Sequence, residues 1–340
     1  MTDKRWKHRP DGSTWGDFGP DDQIGRMNLL TEAHRIAALA EVREGRAFTL
    51  SLPLDYPGGN VLFEHRREPK LFYEKRGEGH NFNYDWRSVC SCYNDVICDD
   101  GVVLYTQYST HWDALGHVGQ RFDADGDGVE EKVFYNGYRA GEHLIGPDDS
   151  DAPGGALKLG IENLATAGVQ GRGVLVDLEA RHGRKRAIVG YDGLMAALEA
   201  QGAEVGEGDF LCLYTGFADL LLEMRKAPDA QVLRTSCAAL DGRDARLLQW
   251  ITDSGIVAIC ADNFAVEHYP AEPAEAESYP ILPLHNHCLF RLGVHLGELW
   301  HFAELARYCR SAGRWRFLLT APPLRLPHSV GGPTTPIATV

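Results

Sequence analysis

Apolar residues along the chain follow helical and strand periods that predict a mixed α/β protein. A helical spacing begins near Thr31, includes Ile36, Leu39 and Val42, and ends before Gly45. Farther along, short apolar runs alternate with amphipathic stretches. These predict buried strands at residues 174–178, 209–214 and 255–260, and helices at residues 191–201 and 241–252, the last capped by Asp241. Such alternation is typical of a mixed α/β fold whose sheet is buried on both faces.

The first half of the chain is richer in strand and loop signals. Residues 48–54 predict a strand, and the prolines and glycines that follow indicate loops to about residue 85, typical of a lid or an oligomer contact. Residues 102–108 have strand composition, so the histidine motif that follows is predicted at a strand end. The chain shows no repeat, low-complexity tract or long linker. We therefore expect one compact domain over residues 31–340, preceded by an N-terminal arm over residues 1–30.

Composition and charge narrow the class of protein. With 44% hydrophobic and 24% charged residues, the chain has the composition of an ordinary folded protein. Its formal net charge of −14 disfavours nucleic acid and anionic membranes as partners, and the short Arg66-Arg67 cluster fits solvated surface or a contact to a substrate anion. Residues 1–20 lack the apolar core of a secretory signal. No stretch of the sequence approaches the length of roughly 20 apolar residues that a membrane span requires. These features favour a cytoplasmic protein.

The eight cysteines form no C-x-x-C pair that would indicate a zinc ribbon or a redox dithiol. Cys212 and Cys260 lie within apolar runs, where a free thiol behaves as a small hydrophobic group. We expect most of the thiols in the core, which fits a reducing compartment.

The segment at residues 107–117 is the strongest candidate for chemistry. In an extended chain, alternate residues face the same side. That face would carry Gln107, Ser109, His111 and Asp113. Imidazole and carboxylate groups at this spacing can bind one metal ion, although a hydrogen-bonded histidine–aspartate pair is the simpler interpretation of such a motif alone. His117 follows Gly116, where the chain can turn so that His117 reaches the same ion or acts as a base.

A second histidine-rich region lies at residues 285–301. It contains His285, His287, His295, Glu298 and His301. Neither region places a serine or cysteine in a nucleophile motif such as G-x-S-x-G. Activation of water by a bound metal ion is therefore the chemistry that these residues can perform.

Together the two regions resemble the signature of the cyclase family, which includes bacterial kynurenine formamidases and isatin hydrolases. The family pattern is His-x-Gly-Thr-His-x-Asp-x-Pro-x-His, and this chain matches it at Thr110, His111, Asp113 and His117. The stretch from His285 to Glu298 is similar to the second family element, a histidine followed by a glutamate within a Leu-Leu and Gly-Ile framework. The tail at residues 321–338 is also similar to the C-terminus of the family.

This resemblance implies a fold, a metal site and an assembly. The fold implied is the swivelling β/β/α domain of the cyclase family, here with loop insertions. The ligands implied for a main metal ion are His111, Asp113 and Glu298, and His117 is implied as general acid and base. The assembly implied is a homodimer or a homotetramer.

Departures from the family pattern affect the number of metal ions. Gln107, Ser109 and Leu115 replace a histidine, a glycine and a proline of the pattern. We therefore expect one divalent ion per chain, either Mn²⁺ or Zn²⁺, with Gln107 kept as a candidate ligand. His285 is favoured as a further ligand, and His287, which shares its face in an extended chain, would bind substrate.

Four residues are candidates for substrate binding, three of them with a specific structural alternative. They are Trp112, Tyr135, Asp262 and His287. Asp262 follows a predicted buried strand and could equally cap the next segment. Tyr135 precedes an Asn-Gly turn signal, and Trp112 could be a core aromatic residue.

Other polar residues fit structural roles better. His295 and His301 fit surface positions. Residues 123–128 begin like a calcium-binding loop, but Phe134 stands where that loop requires a glutamate. We therefore expect a polar turn between strands at residues 123–128.

The two regions together predict hydrolysis of a small-molecule substrate. A metal ion that activates water and polarises a carbonyl would cleave the C–N or C–O bond of an amide, lactam or lactone, cyclic or aromatic compounds included, with His117 moving the proton. Two alternatives stay open: a metal-dependent lyase or cyclase that acts through an enolate, and a binding protein stabilised by a structural ion.

Overall fold

The computed structural model describes residues 4–152 and 154–340, and its centre is a nine-stranded mixed sheet. In chain order the strands are β1 (Ala47–Thr49), β2 (His111–Asp113), β3 (Gln170–Asp177), β4 (Phe210–Tyr214), β5 (Ala258–Ala261), β6 (His295–Glu298), β7 (Arg316–Thr320), β8 (Gly331–Pro333) and β9 (Ile337–Thr339). Across the sheet their order is β1-β9-β7-β3-β4-β5-β6-β2-β8. Strands β3 to β6 pair in parallel, and β2 is antiparallel to both β6 and β8. The predicted mixed α/β class is confirmed.

Helices alternate with the central strands along the chain. They are α1 (Glu32–Leu39), α2 (Ile161–Ala167), α3 (Leu178–His182), α4 (Tyr191–Gln201), α5 (Phe217–Glu223), α6 (Ala230–Arg234), α7 (Ala245–Ser254), α8 (Pro283–His285) and α9 (Ala303–Ala312). A π-helical stretch, Asn286–Leu292, continues α8, and short 3₁₀ helices lie at Gly25–Leu29, Trp86–Ser88 and Tyr135–Gly137. In the described part of the chain, no helix is long and apolar enough to span a bilayer.

Short two-stranded ribbons lie outside the central sheet. The antiparallel pairs are Lys70–Phe72 with Gly101–Val103, Lys75–Arg76 with Gly79–His80, Tyr84–Asp85 with Val96–Ile97, Gln120–Phe122 with Glu131–Val133, and Leu144–Ile145 with Gly155–Ala156. Ala187–Val189 pairs in parallel with Ala238–Leu240. Residues 123–128 connect two of these strands, at the place predicted for a polar turn.

Alternate residues of the central strands pack into two separate hydrophobic cores. In β3, Val176 packs into one core and Leu175 into the other, and in β4 the same holds for Leu213 and Cys212. Strands covered on both faces need apolar side chains at successive positions, which explains their continuous apolar runs.

The segment that precedes α1 packs on both of these cores, through Trp6 and Trp15 on one and Met27 and Leu30 on the other. Trp6 and Trp15 are buried, and the Trp15 indole Nε1 donates to the carbonyl of Phe290 at 2.7 Å. The Arg26 guanidinium donates to the carbonyls of Ile251 and Thr252. Residues 1–3 of the predicted N-terminal arm lie outside the described residues, and the division into an arm and a domain stays a prediction.

The strand predicted at residues 102–108 is wrong. The strand there ends at Val103 and belongs to a peripheral ribbon in which Val102 and Val103 are exposed. Residues 104–110 contain turns and bends, and the next strand is β2 itself. Because β2 pairs on both sides, the histidine motif lies within the central sheet rather than at the end of a preceding strand.

Several other element boundaries also differ from prediction, and α1, for example, ends at Leu39, short of the predicted Val42. The cap of α7 is Asp244, whose carboxylate accepts hydrogen bonds from the amides of Arg246 and Leu247, so the predicted Asp241 cap is wrong. Strand β1 ends at Thr49, short of the predicted residue 54. The loops predicted up to residue 85 contain short strands.

The cysteines divide into buried and peripheral groups. Five are buried free thiols, at Cys212, Cys237, Cys260, Cys288 and Cys309. Cys90 and Cys92 form a disulfide, and Cys98 is exposed. The five buried thiols are therefore in the core, as expected. Cys90, Cys92 and Cys98 lie instead among the peripheral ribbons, where no core forms.

Asp262, which follows β5, holds the start of α5. Its two carboxylate oxygens accept hydrogen bonds from the amides of Thr215, Gly216 and Phe217 and from the Thr215 hydroxyl, at 2.6 to 3.1 Å. The amides at the start of a helix have no partner within the helix, so a buried carboxylate from a neighbouring strand can satisfy them.

We expect Asp262→Ala to lower the free energy of unfolding by about 2–4 kcal/mol, because buried amides lose their acceptor. Urea denaturation measures the effect. Asp253→Ala, which removes a carboxylate on the surface of α7, is the control and should change stability by less than about 0.5 kcal/mol. Equal stability of Asp262→Ala and the unsubstituted protein would contradict the capping role.

Candidate metal centre

The pairing of β2 with β6 brings three of the predicted ligands together. His111 lies directly opposite Glu298, and Asp113 lies opposite Leu296. Alternate residues and cross-strand partners share one face of a sheet, so the side chains of His111, Asp113 and Glu298 project from the same side. All three side chains are buried.

Trp112, between two of these ligands, points to the opposite face of the sheet. Its ring packs edge-on against Trp300 with the ring centroids 5.1 Å apart, and its Nε1 donates to the carbonyl of Ala321. This packing fixes the orientation of β2 about its own axis, so that His111 and Asp113 point to the face where the site lies. Trp112 itself lies in the core, which favours a structural role, and its contact with substrate stays a prediction.

The donor atoms of the three ligands lie within reach of one ion. One donor atom from each residue lies within 4.8 Å of the others. His111 Nε2 is 3.4 Å from Asp113 Oδ1 and 3.5 Å from Glu298 Oε2. Ligand atoms bound tetrahedrally at about 2.1 Å from an ion are about 3.4 Å apart, so these separations suit a shared ion.

Unpartnered polar atoms at the centre also fit a cation. His111 Nε2 and both carboxylate oxygens of Asp113 are buried and have no hydrogen-bond partner. Such atoms cost free energy when they are left unpaired. His111 Nδ1 lies 2.7 Å from the carbonyl of Ser109, which requires the proton on Nδ1 and leaves the Nε2 lone pair facing the other ligands. The residues present therefore fit a divalent metal ion.

His285 lies beside this group and is oriented by Glu267. Its Nε2 is 3.1 Å from Glu298 Oε1 and 3.8 Å from Asp113 Oδ2. Its Nδ1 is 2.7 Å from Glu267, whose carboxylate also accepts hydrogen bonds from the amides of Leu284 and His285. Burial would lower the pKa of His285, but its hydrogen bonds to Glu267 and Glu298 raise it to about 10. The ring is thus held toward Glu298, where a metal ion would displace the proton on Nε2.

His117 lies beside Asp113 at a more open position. Its Nε2 is 3.6 Å from Asp113 Oδ1, and its side chain is 22% exposed, against 1% for Asp113. Burial lowers the pKa of His117 to about 4, although the charge of Asp113 opposes this, and the positive charges of His285 and Arg66 add to the lowering. A neutral imidazole with partial access to solvent can accept a proton at neutral pH.

The two ligand carboxylates differ in their surroundings. Burial and the charge of Asp113 raise the pKa of Glu298. Burial would also raise the pKa of Asp113, but the neighbouring His117 and His111 bring it below its usual value. A cation between the two carboxylates would favour the ionised form of both.

Three further residues predicted to bind substrate have their polar atoms engaged elsewhere. His287 Nε2 lies 2.9 Å from the Thr252 hydroxyl, and the Tyr135 hydroxyl donates to Asp22 at 3.2 Å. Asp262 holds the start of α5, as described above. These contacts favour structural roles for His287, Tyr135 and Asp262, and their contact with substrate stays a prediction.

Gln107 lies near the centre but not on an extended strand with it. Its carboxamide packs against Gly331, the β8 partner of Asp113, where a Cβ atom would be 2.5 Å from Gln107 Nε2. Its Oε1 accepts a hydrogen bond from the Thr106 hydroxyl, and Ser109 donates to the carbonyl of Pro53. The ligand face predicted at residues 107–113 therefore includes His111 and Asp113 but not Gln107 or Ser109.

The histidines assigned to the surface are more buried than expected. His295 is 2% exposed, so the predicted surface position is wrong, and burial lowers its pKa to about 3. His301 is partly buried, with Nε2 3.0 Å from Asp219 Oδ1. Glu267 is a functional candidate that the sequence analysis missed, because no local motif links it to His285.

Comparison with known proteins places this site in a family. The sequence matches the Cyclase family, described as "Putative cyclase", over residues 48–268. A solved structure described as a novel cyclase is 30% identical, covers 96% of this chain and 97% of its own, and has a TM-score of 0.74. The chain belongs to the cyclase family.

Other solved structures share the fold of this cyclase-family chain at low identity. Isatin hydrolase A from Labrenzia aggregata is 12% identical, covers 90% of this chain and 97% of its own, and has a TM-score of 0.54. Isatin hydrolase A from Ralstonia solanacearum is 14% identical, with coverages of 89% and 94% and a TM-score of 0.53. No curated protein matches the sequence. The predicted cyclase-family fold is confirmed.

Bound metal should raise the stability of this protein, and we expect Asp113→Asn to lose most of that gain. An ion at about 100 times its dissociation constant stabilises a fold by about 2.7 kcal/mol. Thermal unfolding with Zn²⁺ or Mn²⁺ and with a chelator measures the difference.

The matched control is Asp123→Asn, in a second, half-buried acidic group with Asp125 and Glu131. This variant should keep the gain in stability. If Asp123→Asn lost the gain and Asp113→Asn kept it, the centre at β2 and β6 would not be the metal site.

Proposed function

We propose that this chain is a metal-dependent hydrolase that cleaves an amide, lactam or lactone bond of a small carbonyl compound. The observation that carries the proposal is the buried group of His111, Asp113 and Glu298, with unpartnered donor atoms and a partly exposed histidine beside it. Membership of the cyclase family supports the same chemistry. We further propose one ion per chain, with Mn²⁺ and Zn²⁺ as the candidates for a site of one imidazole and two carboxylates.

His111, Asp113 and Glu298 would hold the ion, with His285 as a further candidate beside Glu298. When bound, such an ion supplies Lewis acidity, which polarises a carbonyl and acidifies water. The buried surroundings exclude bulk water, so charges inside interact strongly.

His117 is the group that would move the proton in this mechanism. As a neutral imidazole it accepts a proton from the attacking water and can return it to the leaving nitrogen or oxygen. Asp113, 3.6 Å from His117 Nε2, stabilises the imidazolium that forms between these two steps. Glu267 has an indirect, positioning role, because its hydrogen bond to Nδ1 fixes the ring of His285.

We expect His117→Gln to lower kcat about 100-fold or more while metal binding is retained, because a general base contributes about 10²–10⁴ in rate. Steady-state kinetics on isatin, N-formyl amines and lactones, with metal content measured in the same samples, tests this. Isatin is included because two proteins with this fold are named for its hydrolysis.

His287→Gln is the matched control and should retain activity, since His287 bonds to Thr252 outside the centre. Hydrolysis also requires one solvent oxygen in the product. A product without ¹⁸O after reaction in H₂¹⁸O would favour the lyase chemistry instead.

We also propose that the chain forms a homo-oligomer through an apolar surface on the peripheral ribbons at residues 70–105. Leu71 and Val102 lie opposite each other on one ribbon and are 57% and 46% exposed. Val103 on the same ribbon and Val96 on another peripheral ribbon are also exposed. Exposed apolar residues of this kind are typical of interfaces.

The double variant Leu71→Glu/Val102→Glu should shift the protein toward the monomer, because two carboxylates would be buried without partners at the interface. Light scattering coupled to size exclusion measures the mass. The control is Ile188→Glu, at an exposed apolar residue elsewhere. A monomeric unsubstituted protein, or a variant of unchanged oligomeric mass, would contradict the proposed interface.

A further inference from the structure

An open groove begins at His117, the histidine beside the candidate metal centre. Its volume is about 300 Å³, at the lower end of the usual range for small-molecule sites. Besides His117, its walls are formed by the ribbon that pairs Gln120–Phe122 with Glu131–Val133 and by the residues next to that ribbon. A molecule in this groove therefore lies next to the side chain that we propose moves the proton.

Direct contacts tie the groove to the candidate metal centre at two points. His117 Nε2 lies 3.6 Å from Asp113 Oδ1. Gln120, in the same wall of the groove, accepts a hydrogen bond at 3.0 Å from the side-chain amide of Asn286, the residue that follows His285. The groove is therefore adjacent to the centre, and His117 belongs to both.

Phe134 and Gly119 form an apolar part of the groove. Continued one residue past its strands, the register of the ribbon sets Gly119 opposite Phe134. A Cβ atom at position 119 would lie 2.9 Å from the Phe134 ring, so the ring packs directly on the glycine. A flat aromatic wall of this kind suits the ring of an aromatic ligand.

Two cations lie on the same face of the ribbon as Phe134. Arg121 and Lys132 are directly opposed cross-strand partners, so their side chains share one face, and both residues line the groove. Both are exposed. In the described part of the chain, neither cation has a carboxylate within ion-pair distance. The groove therefore contains two neighbouring positive charges without an anion.

This pair of cations is unfavourable for the ribbon itself, because like charges at directly opposed positions repel. Two nearby carboxylates are engaged elsewhere: Glu131 pairs with Arg139 at 3.1 Å, and Asp123 accepts hydrogen bonds from amides of its own turn. In a chain of net charge −14, the unpaired cations create a local positive field. An anion between them would replace the repulsion with charge-assisted hydrogen bonds.

We propose that this groove binds the substrate and that Arg121 and Lys132 hold an anionic group of an aromatic carbonyl compound. This inference rests on the proposed hydrolase function. The aromatic ring of the substrate packs against Phe134, its anionic group lies between the two cations, and its scissile carbonyl lies at the His117 end, toward the metal ligands. The enzyme therefore selects anionic aromatic substrates over neutral ones.

The test compares 4-formamidobenzoate with N-(4-nitrophenyl)formamide, whose nitro group has the shape of a carboxylate without its charge. We expect Arg121→Glu to reduce the preference in kcat/KM for the benzoate about tenfold or more, mainly through KM, because a charge-assisted pair is lost. Steady-state kinetics with metal-loaded protein at an ionic strength of about 0.15 M measures both substrates. The change in preference between proteins cancels the different reactivities of the two substrates.

Arg121→Glu also places opposite charges across the ribbon, so its thermal stability should be unchanged or higher, and a lost preference cannot then be a folding defect. Lys132→Gln removes one cation and should cause a smaller loss. Lys185→Glu changes the net charge as much as Arg121→Glu does, at an exposed residue outside the groove, and should leave the preference intact. An equal loss in Lys185→Glu would overturn the proposal, because it would show an effect of net charge alone.

A binding experiment separates this inference from the hydrolase proposal. Benzenesulfonate and methyl phenyl sulfone have similar shapes, differ in charge and are both weak metal ligands, so isothermal titration of each reports the anion site without turnover. Tighter binding of the sulfonate that is lost in Arg121→Glu and kept in Lys185→Glu supports the inference even if neither formamide is hydrolysed, an outcome that would refute only the hydrolase proposal. Equal preference in Arg121→Glu and the unsubstituted protein, in the substrate pair or in the binding pair, would overturn the role of the two cations.

Discussion

Asp113 and Glu298 place two carboxylates on the same buried face of the β2–β6 pair, and both belong to a group whose donor atoms lie within 4.8 Å of one another. Two buried negative charges in such proximity repel, and no protein ammonium or guanidinium group pairs with either in the described residues. Histidines fill the space around them instead. A divalent cation resolves this repulsion and pairs the unpartnered atoms of Asp113 and His111, so the local structure is best understood as a site built to contain one.

The rest of the fold holds this arrangement in place. The sheet is covered on both faces, and the packing of Trp112 against Trp300 on one face determines which side chains of β2 reach the other. Glu267 orients His285, and the carbonyl of Ser109 orients His111. Rigid support of this kind keeps ligands within the narrow distances that metal ions require. The more open side, toward His117, is left for substrate.

The sequence predicted some parts of this structure better than others. Strands such as β3 and β4 were recognisable because burial on both faces makes their sequences continuously apolar. Residues 102–108 have similar composition, but their pairing partner is a peripheral strand and most of the segment does not pair at all. The true position of β2 depends on pairing with β6 and β8, which are far away in sequence, and no local pattern reports such contacts.

The same distinction applies to the site. The candidate ligands His111 and Asp113 were predicted from their spacing and family resemblance, and Trp112 between them could have been assigned to the opposite face by the alternation of strand residues. Glu267 could not, because its contact with His285 arises only from the folded chain.

The most direct measurement of the central claim is an anomalous difference map from a crystal of the metal-loaded protein, recorded on both sides of the metal absorption edge. One peak per chain in contact with His111 Nε2, Asp113 and Glu298 is the expected result. The absence of a peak there, or a single peak at Asp123, Asp125 and Glu131 instead, would contradict a metal centre on the β2–β6 face.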